Sequence, residues 1–281
     1  MRGFQTYEIV RNALSVKVHA ITDILERWII SHINGIDIDK KQYNKECAMY
    51  KIRYDFDIPE LDDEFDNIHY SYDSNYVTFE YEDLMYKVEL TERMKELFAN
   101  PIFKERDIIE LIYNYSTLMT GLNALDNVRS FGGQQWCFFD FDRIIAKHGI
   151  NCEAFASPLN TFYSPMTCDF KYYSLFPSDS KFGSLGSFLE TDAVPGNYEV
   201  NPPFIESILE LAAKKCIEIL KLGGSLIYFV GPAWRDAKFI EILQKSKFHV
   251  ETKENRDQYK LSGKTIKSKA ISYNVLLRSI K

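Results

Sequence analysis

The stretch 198-YEVNPPFIESILELAAKKCIEILKLGGSLIYFV-230 decides how this chain folds. It opens on a short apolar run at Tyr198–Val200 and closes on a second, Ser225–Val230. Between them Ile205, Ile208, Leu209, Ala212, Cys216, Ile217 and Leu220 recur at mostly three- and four-residue spacing, which predicts an amphipathic helix over 205–222. Lys214, Lys215, Glu218 and Lys221 fall mostly off that face, and Gly223-Gly224 supplies the stop. Strand, helix and strand in this order are the repeating unit of a parallel sheet with covered faces. The junction Asn201-Pro202-Pro203-Phe204 is richer than a simple strand-to-helix turn requires.

Further strand-like segments lie on either side: CEAFAS at 152–157, FHVETKE at 248–254 and ISYNVLLRSI at 271–280, with helical patterns between several of them. The segment 134-QQWCFFDFDRIIAKHG-149 reads as a helix ending at Gly149. GKTIKSK, just before the last strand, predicts a closing antiparallel hairpin. The expected class is therefore α/β: a Rossmann-like domain over residues 127–281, preceded over 1–126 by a mainly helical accessory domain. In that first part, 8–31 and 91–126 have helical spacing. YVTFEYEDLMYKVEL at 76–90 alternates, as a hairpin edge or a surface insertion does.

Composition narrows the function classes. The 281 residues suffice for one large domain or two smaller ones. No apolar run approaches the roughly 20 residues that span a bilayer. The charged N-terminus does not read as a signal peptide, so an intracellular protein is expected, in nucleus or cytoplasm. The five cysteines (Cys47, Cys137, Cys152, Cys168, Cys216) form no Cys-x-x-Cys pair, and the five histidines are scattered. Reduced thiols and no metal site are expected. The net charge of −6 argues against a general coat for duplex DNA. Charge is nevertheless uneven: residues 54–92 carry 13 Asp/Glu and one Lys, whereas 241–281 carry ten Lys/Arg and four acids. The basic tail belongs to the half that bears the chemistry and is the better placed to meet phosphate.

In an open α/β sheet, ligands bind outside the carboxyl ends of the strands. Asn201-Pro202-Pro203-Phe204 stands there. An amide oxygen and a neighbouring backbone carbonyl can together accept both protons of one exocyclic amine. Pro202 and Pro203 fix φ and remove two N–H donors, which leaves a stiff ridge of acceptors. Phe204 can stack on a base. With both protons held, the nitrogen lone pair is free to leave the ring plane and attack an activated methyl, so the motif suits an aromatic amine such as adenine N6. A Pro-Pro turn with a buried Phe is the bland alternative.

Asp/Asn-Pro-Pro-Tyr/Phe at this place resembles the signature of class I, S-adenosylmethionine-dependent amino-methyltransferases. More narrowly, the second half resembles the cap-specific adenosine N6-methyltransferase family, that of the phosphorylated CTD-interacting factor. The matching pieces, in the family's order, are 133-GQQWCF-138, 153-EAFASPLN-160, 172-YYSLFPSDSKFGSLGSF-188, 199-EVNPPFIE-206 and 231-GPAWRDA-237. The resemblance implies S-adenosyl-L-methionine as cofactor and methylation of the adenosine beside the 5′ cap. It implies capped RNA as partner, with transcription or capping machinery as further partners.

Residue by residue, it implies that Asn201, Pro202, Pro203 and Phe204 hold the target adenine and touch the cofactor. Phe155, Ala156, Ser157, Pro158 and Asn160, with Phe182, Gly183 and Ser184, would line the cofactor pocket. Glu206 and the run Gly231, Pro232, Ala233, Trp234 and Arg235 would contact substrate. Trp136 suits a core position, and Trp234 either stacking or packing. The clamp itself sees only adenine, so DNA or internal RNA remains an alternative substrate. A methyltransferase fold that only binds RNA or protein is the alternative from another class.

Overall fold

The computed structural model describes residues 68–81, 84–116, 120–123, 128–131, 141–162, 170–261 and 264–280. The expected helix over 8–31, the acidic stretch up to residue 67, Trp136, Cys47, Cys137 and Cys168 lie outside the described residues. The chain divides into two compact units, residues 1–133 and 134–281.

In the first unit the alternating stretch at 76–90 becomes a hairpin. Strand β1 (His69–Tyr72) pairs with β2 (Tyr76–Tyr81), which pairs with β3 (Leu84–Glu89), both antiparallel. Asp73 closes the β1–β2 turn, its Oδ1 accepting from Asn75 N at 2.7 Å and Tyr76 N at 2.9 Å. Helices α1 (Glu92–Ala99) and α2 (Glu105–Ser116) follow, then β4 (Thr120–Asn123) and β5 (Val128–Phe131). The sheet order is β1-β2-β3-β5-β4, with β5 parallel to β3. Period-two burial puts Val77 and Phe79 inside, while Met94, Ile108, Ile109 and Ile112 come from the helices. The expectation of a mainly helical N-terminal domain is not met by this described part. The alternating Tyr-bearing run forms interior strands of a five-stranded sheet rather than a surface insertion.

The second unit realises the strand–helix–strand reading of residues 198–230. After α3 (Phe141–His148), Gly149 leaves the helix at φ +60°, and β6 (Cys152–Ala156) begins. Next come β7 (Lys171–Ser174), a short 3₁₀ turn at Pro177–Phe182, β8 (Asn197–Val200), α4 (Glu206–Lys221) and β9 (Leu226–Pro232). Helix α5 (Lys238–Gln244), β10 (His249–Leu261) and β11 (Lys264–Arg278) complete the unit. Gly223 and Gly224, both at positive φ, end α4 where side chains would be strained. The six strands are ordered β10-β11-β9-β8-β6-β7. Strands β7, β6, β8 and β9 are parallel, and β11 returns antiparallel beside β9 as the expected closing hairpin. The result is a mixed α/β unit with a mostly parallel sheet.

Alternation gives each face of the sheet its own core. Tyr198, Val200, Ile227, Phe229, Val275 and Leu277 meet the buried stripe of α4 and α5: Leu209, Ala212, Cys216, Phe239 and Leu243. Leu226, Tyr228, Val230 and Leu276 face the other way, with Ile145 of α3. Each such fully buried aliphatic or aromatic side chain contributes about 1.5–3 kcal/mol of transfer free energy. The predicted apolar face of the 205–222 helix and the observed one nearly coincide, Ile219 and Ala213 being buried as well.

Candidate functional site

The order of strands in the second sheet reverses between β6 and β8. From β6 the chain goes outward to β7; from β8 it goes the other way, to β9. At such a reversal the loops leaving the two neighbouring strands diverge and open a crevice at their carboxyl ends. The loop after β6 is Ser157–Asn160 and the loop after β8 is Asn201–Ile205. The two segments singled out in the sequence are thus brought to one edge of one sheet, on adjacent parallel strands.

The first loop closes on itself. Asn160 Oδ1 accepts from Ser157 N at 2.7 Å and from Ser157 Oγ at 3.0 Å, while Leu159 N donates to Ser157 Oγ at 3.2 Å. Its downstream end is tied back to β6: Thr161 Oγ1 and Phe162 N both donate to Glu153 Oε2, at 2.6 and 2.9 Å. Ser157, Pro158 and Leu159 are buried; Phe155, Ala156 and Asn160 keep partial exposure. Phe155 stands edge-on to Phe188 at 5.5 Å between centroids.

FGSLGSF runs along β7, with Leu185 N donating to Tyr172 O and Gly186 O accepting from Ser174 N. The hydroxyls of Ser174 and Ser184 lie 2.5 Å apart, and Tyr172 OH donates to Phe182 O at 2.7 Å. Phe182 and Ser184 therefore dock this segment on the edge strand. Gly183, exposed at φ +88°, makes the turn that lets it pass.

In the second loop Pro202 is buried and Asn201, Pro203 and Phe204 are half-buried. Asn201 Oδ1 is itself a buried atom at the strand end. Phe204 rests against the core that α4 covers. Ile205 N donates back to Pro203 O at 2.7 Å, and Leu209 N to Ile205 O at 2.9 Å, so the ridge runs straight into the first turn of α4. Glu206 is exposed there, at the positive end of the helix dipole.

The third candidate segment begins in the last two residues of β9, the next strand over, and runs past its end. Gly231 and Pro232 are buried, Ala233 is half-buried, and Trp234 is 42% exposed beside the exposed Arg235. A Cβ at Gly231 would lie 2.6 Å from the Phe239 ring, so glycine is needed for α5 to close on the sheet. Asp236 turns the chain at φ +58°.

Reading the sequence missed one pair of groups. Glu153 and Glu199 are register partners on β6 and β8, 4% and 3% exposed. Burial, and then the charge of Glu153, push the Glu199 carboxyl well above the usual carboxylate range. Glu153 meets two donors, which suits the charged form, whereas the protonated form is favoured at Glu199. The available signal was an acid inside each of two otherwise apolar strands, CEAF and YEVN. Burial also pushes the Cys152 thiol, on the opposite face of β6, up to about 12, so it is an inert core thiol. Among the described residues no group of His, Cys, Asp or Glu has the arrangement of a metal site, and no helix is long and apolar enough to cross a membrane.

Two curated relatives, from Mus musculus and Homo sapiens, each named mRNA (2'-O-methyladenosine-N(6)-)-methyltransferase, are 33% identical over 100 residues. The alignment covers 34% of this chain but 13% of each relative's own length. A family model matches residues 85–262, more than half of the chain, from β3 through the end of β10. By that match the chain belongs to the family described as the phosphorylated CTD interacting factor 1 WW domain.

Proposed function

We propose that the chain is a Rossmann-like methyltransferase that transfers a methyl group from S-adenosylmethionine to N6 of adenosine in RNA, at the nucleotide next to the 5′ cap. The observation that carries this reading is the meeting of two loops, FASPLN and NPPF, on adjacent parallel strands where the strand order reverses. The name carried by the mouse and human relatives supports the substrate.

The loop after β6 fits an amino-acid-bearing cofactor. Asn160 spends its carbonyl oxygen on Ser157, so what it offers outward is its amide NH2, a donor group suited to a carboxylate. Ala156 and Ser157 are small enough for close approach, with Phe155, Pro158 and the Phe182-Gly183-Ser184 turn forming the surrounding wall. Bound there, S-adenosylmethionine supplies a methyl on a sulfonium, already activated for transfer.

The remaining work falls to the chain. Asn201 Oδ1 and the Pro202 carbonyl accept the two amine protons of adenine and turn the lone pair out of the ring plane. Pro203 holds the ridge stiff, and Phe204 stacks on the base. Glu206, Gly231, Pro232, Ala233, Trp234 and Arg235 border the path by which the strand arrives. No strong base is required, because the amine proton departs after transfer. Catalysis then consists of positioning and of replacing water around the amine by fixed acceptors.

Transfer of labelled methyl to matched oligonucleotides tests the proposal. A capped RNA beginning with 2′-O-methyladenosine is expected to be the best acceptor. Equal transfer to uncapped RNA or to DNA overturns the cap assignment, and tight cofactor binding without transfer to any of them overturns the enzyme.

A further inference from the structure

Strands β10 and β11 are far longer than the sheet that holds them. They span 13 and 15 residues, whereas β9 spans seven. Pairing of β11 with β9 begins at Ser272 opposite Pro232, the last residue of β9. Because β11 runs antiparallel to β9, its residues before Ser272 lie beyond the carboxyl end of β9, on the edge where the candidate loops stand. They remain paired with β10 up to Leu261 opposite Lys264. A two-stranded ribbon thus extends past the sheet, and at about 3.3 Å per residue it reaches about 20 Å. It springs from a strand two places removed from β8, which at about 4.8 Å per strand is about 10 Å from the NPPF ridge.

The ribbon is basic. Residues 255–271 hold Arg256, Lys260, Lys264, Lys267 and Lys269 against Asp257. The register shift between Arg256 and Gln258 marks a bulge where the ribbon leaves the sheet, the device by which strands bend and re-aim. A lysine-rich ribbon beside a nucleotide site complements a polyanion.

We propose that this ribbon is an arm that holds the phosphate backbone of the RNA strand running away from the modified nucleotide. The inference deepens the methyltransferase reading and rests on it for the position of the RNA end. Its function is to lengthen the footprint: affinity for long RNA comes from the arm, turnover from the loops.

The experiment uses the full chain, its Lys260→Gln/Lys264→Gln/Lys267→Gln variant and the matching triple Lys→Arg variant. Fluorescence anisotropy with an uncapped single-stranded RNA of about 20 nucleotides is followed from about 50 to about 200 mM salt, without cofactor. The Gln variant is expected to bind about tenfold more weakly, with its log–log salt slope reduced by about 2 for three lost phosphate contacts, while the Arg variant binds as the parent does. Transfer to a capped trinucleotide, too short for the arm, is expected to be unchanged in all three. Unaltered affinity and slope in the Gln variant overturn the arm. So does self-association of that variant with RNA binding intact, which would make the lysines guards of an exposed edge. Parent binding to poly-glutamate as tight as to RNA overturns the assignment to a nucleic-acid strand. Absence of methyl transfer by the parent would count against the enzyme reading alone, because the anisotropy arms do not depend on it.

Discussion

The two loops at the strand reversal are stiffened by opposite means. The loop after β6 is closed by polar contacts: Asn160 and Ser157 bond to each other, and Glu153 gathers the loop's downstream end. The loop after β8 is stiffened by covalent geometry, two prolines that fix φ and offer carbonyls without competing donors. A hydrogen-bonded loop spends its side chains on itself. In the proposed mechanism the proline ridge positions its flanking side chains, Asn201 and Phe204, toward the ligand. Substitutions in the first loop should therefore act through shape and stability, and those in the second through chemistry.

The largest separation is expected at Asn201. Asn201→Ala removes one of the two proposed amine acceptors and should lower single-turnover transfer on the order of a hundredfold, with melting temperature and most cofactor affinity kept. Transfer at the parent rate would reduce the ridge to a turn. Phe204→Ala comes next. Loss of base stacking, worth roughly 1–3 kcal/mol, should raise KM for RNA by about tenfold while cofactor binding stands. An unchanged KM would leave Phe204 as a core residue only.

Asn160→Ala probes the other loop. It leaves the N–H and hydroxyl of Ser157 without their acceptor, at a cost of about 1–3 kcal/mol. Both melting temperature and cofactor affinity should fall together in a calorimetric titration. A loss of affinity alone would make Asn160 a ligand contact rather than the latch of its loop.

The smallest effect is expected beneath both loops, at Glu199. A carboxyl whose folded pKa is raised contributes stability that is full below its unfolded value and is lost as pH rises through the folded one. Glu199→Gln keeps the neutral form throughout. Its melting temperature should match the parent near about pH 4 and exceed it progressively as pH rises above that. A pH-independent difference would mean that Glu199 is charged in the folded protein.

What was legible in the sequence follows from which forces leave a local pattern. Helix α4 and strands β6, β8 and β9 were visible because burial imposes periodicity on the chain. The glycines at 223–224 were visible because a positive φ demands them. Strand β7 was not read as a strand: four residues, KYYS, carry too little alternation, and its place is set by Leu185 and Ser174 contacts within the FGSLGSF segment. The Glu153–Glu199 pair escaped notice because an acid in a strand ordinarily signals a solvent face, and only the register shows two acids side by side in the interior. Gly231 was read only as part of a substrate-contacting run; Phe239, from the next helix, is what requires a glycine there. The basic tail announced its charge, while its length beyond the sheet is a property of pairing that no single strand discloses.

The central claim is a methyl group on N6 of the adenosine next to the cap. It is tested most directly by mass analysis of nucleosides after incubating the protein with isotope-labelled S-adenosylmethionine and a capped RNA that begins with 2′-O-methyladenosine. The account predicts labelled N6,2′-O-dimethyladenosine from the parent and on the order of a hundredfold less, at equal time, from Asn201→Ala. Label recovered on any other nucleoside, or on none, would contradict it.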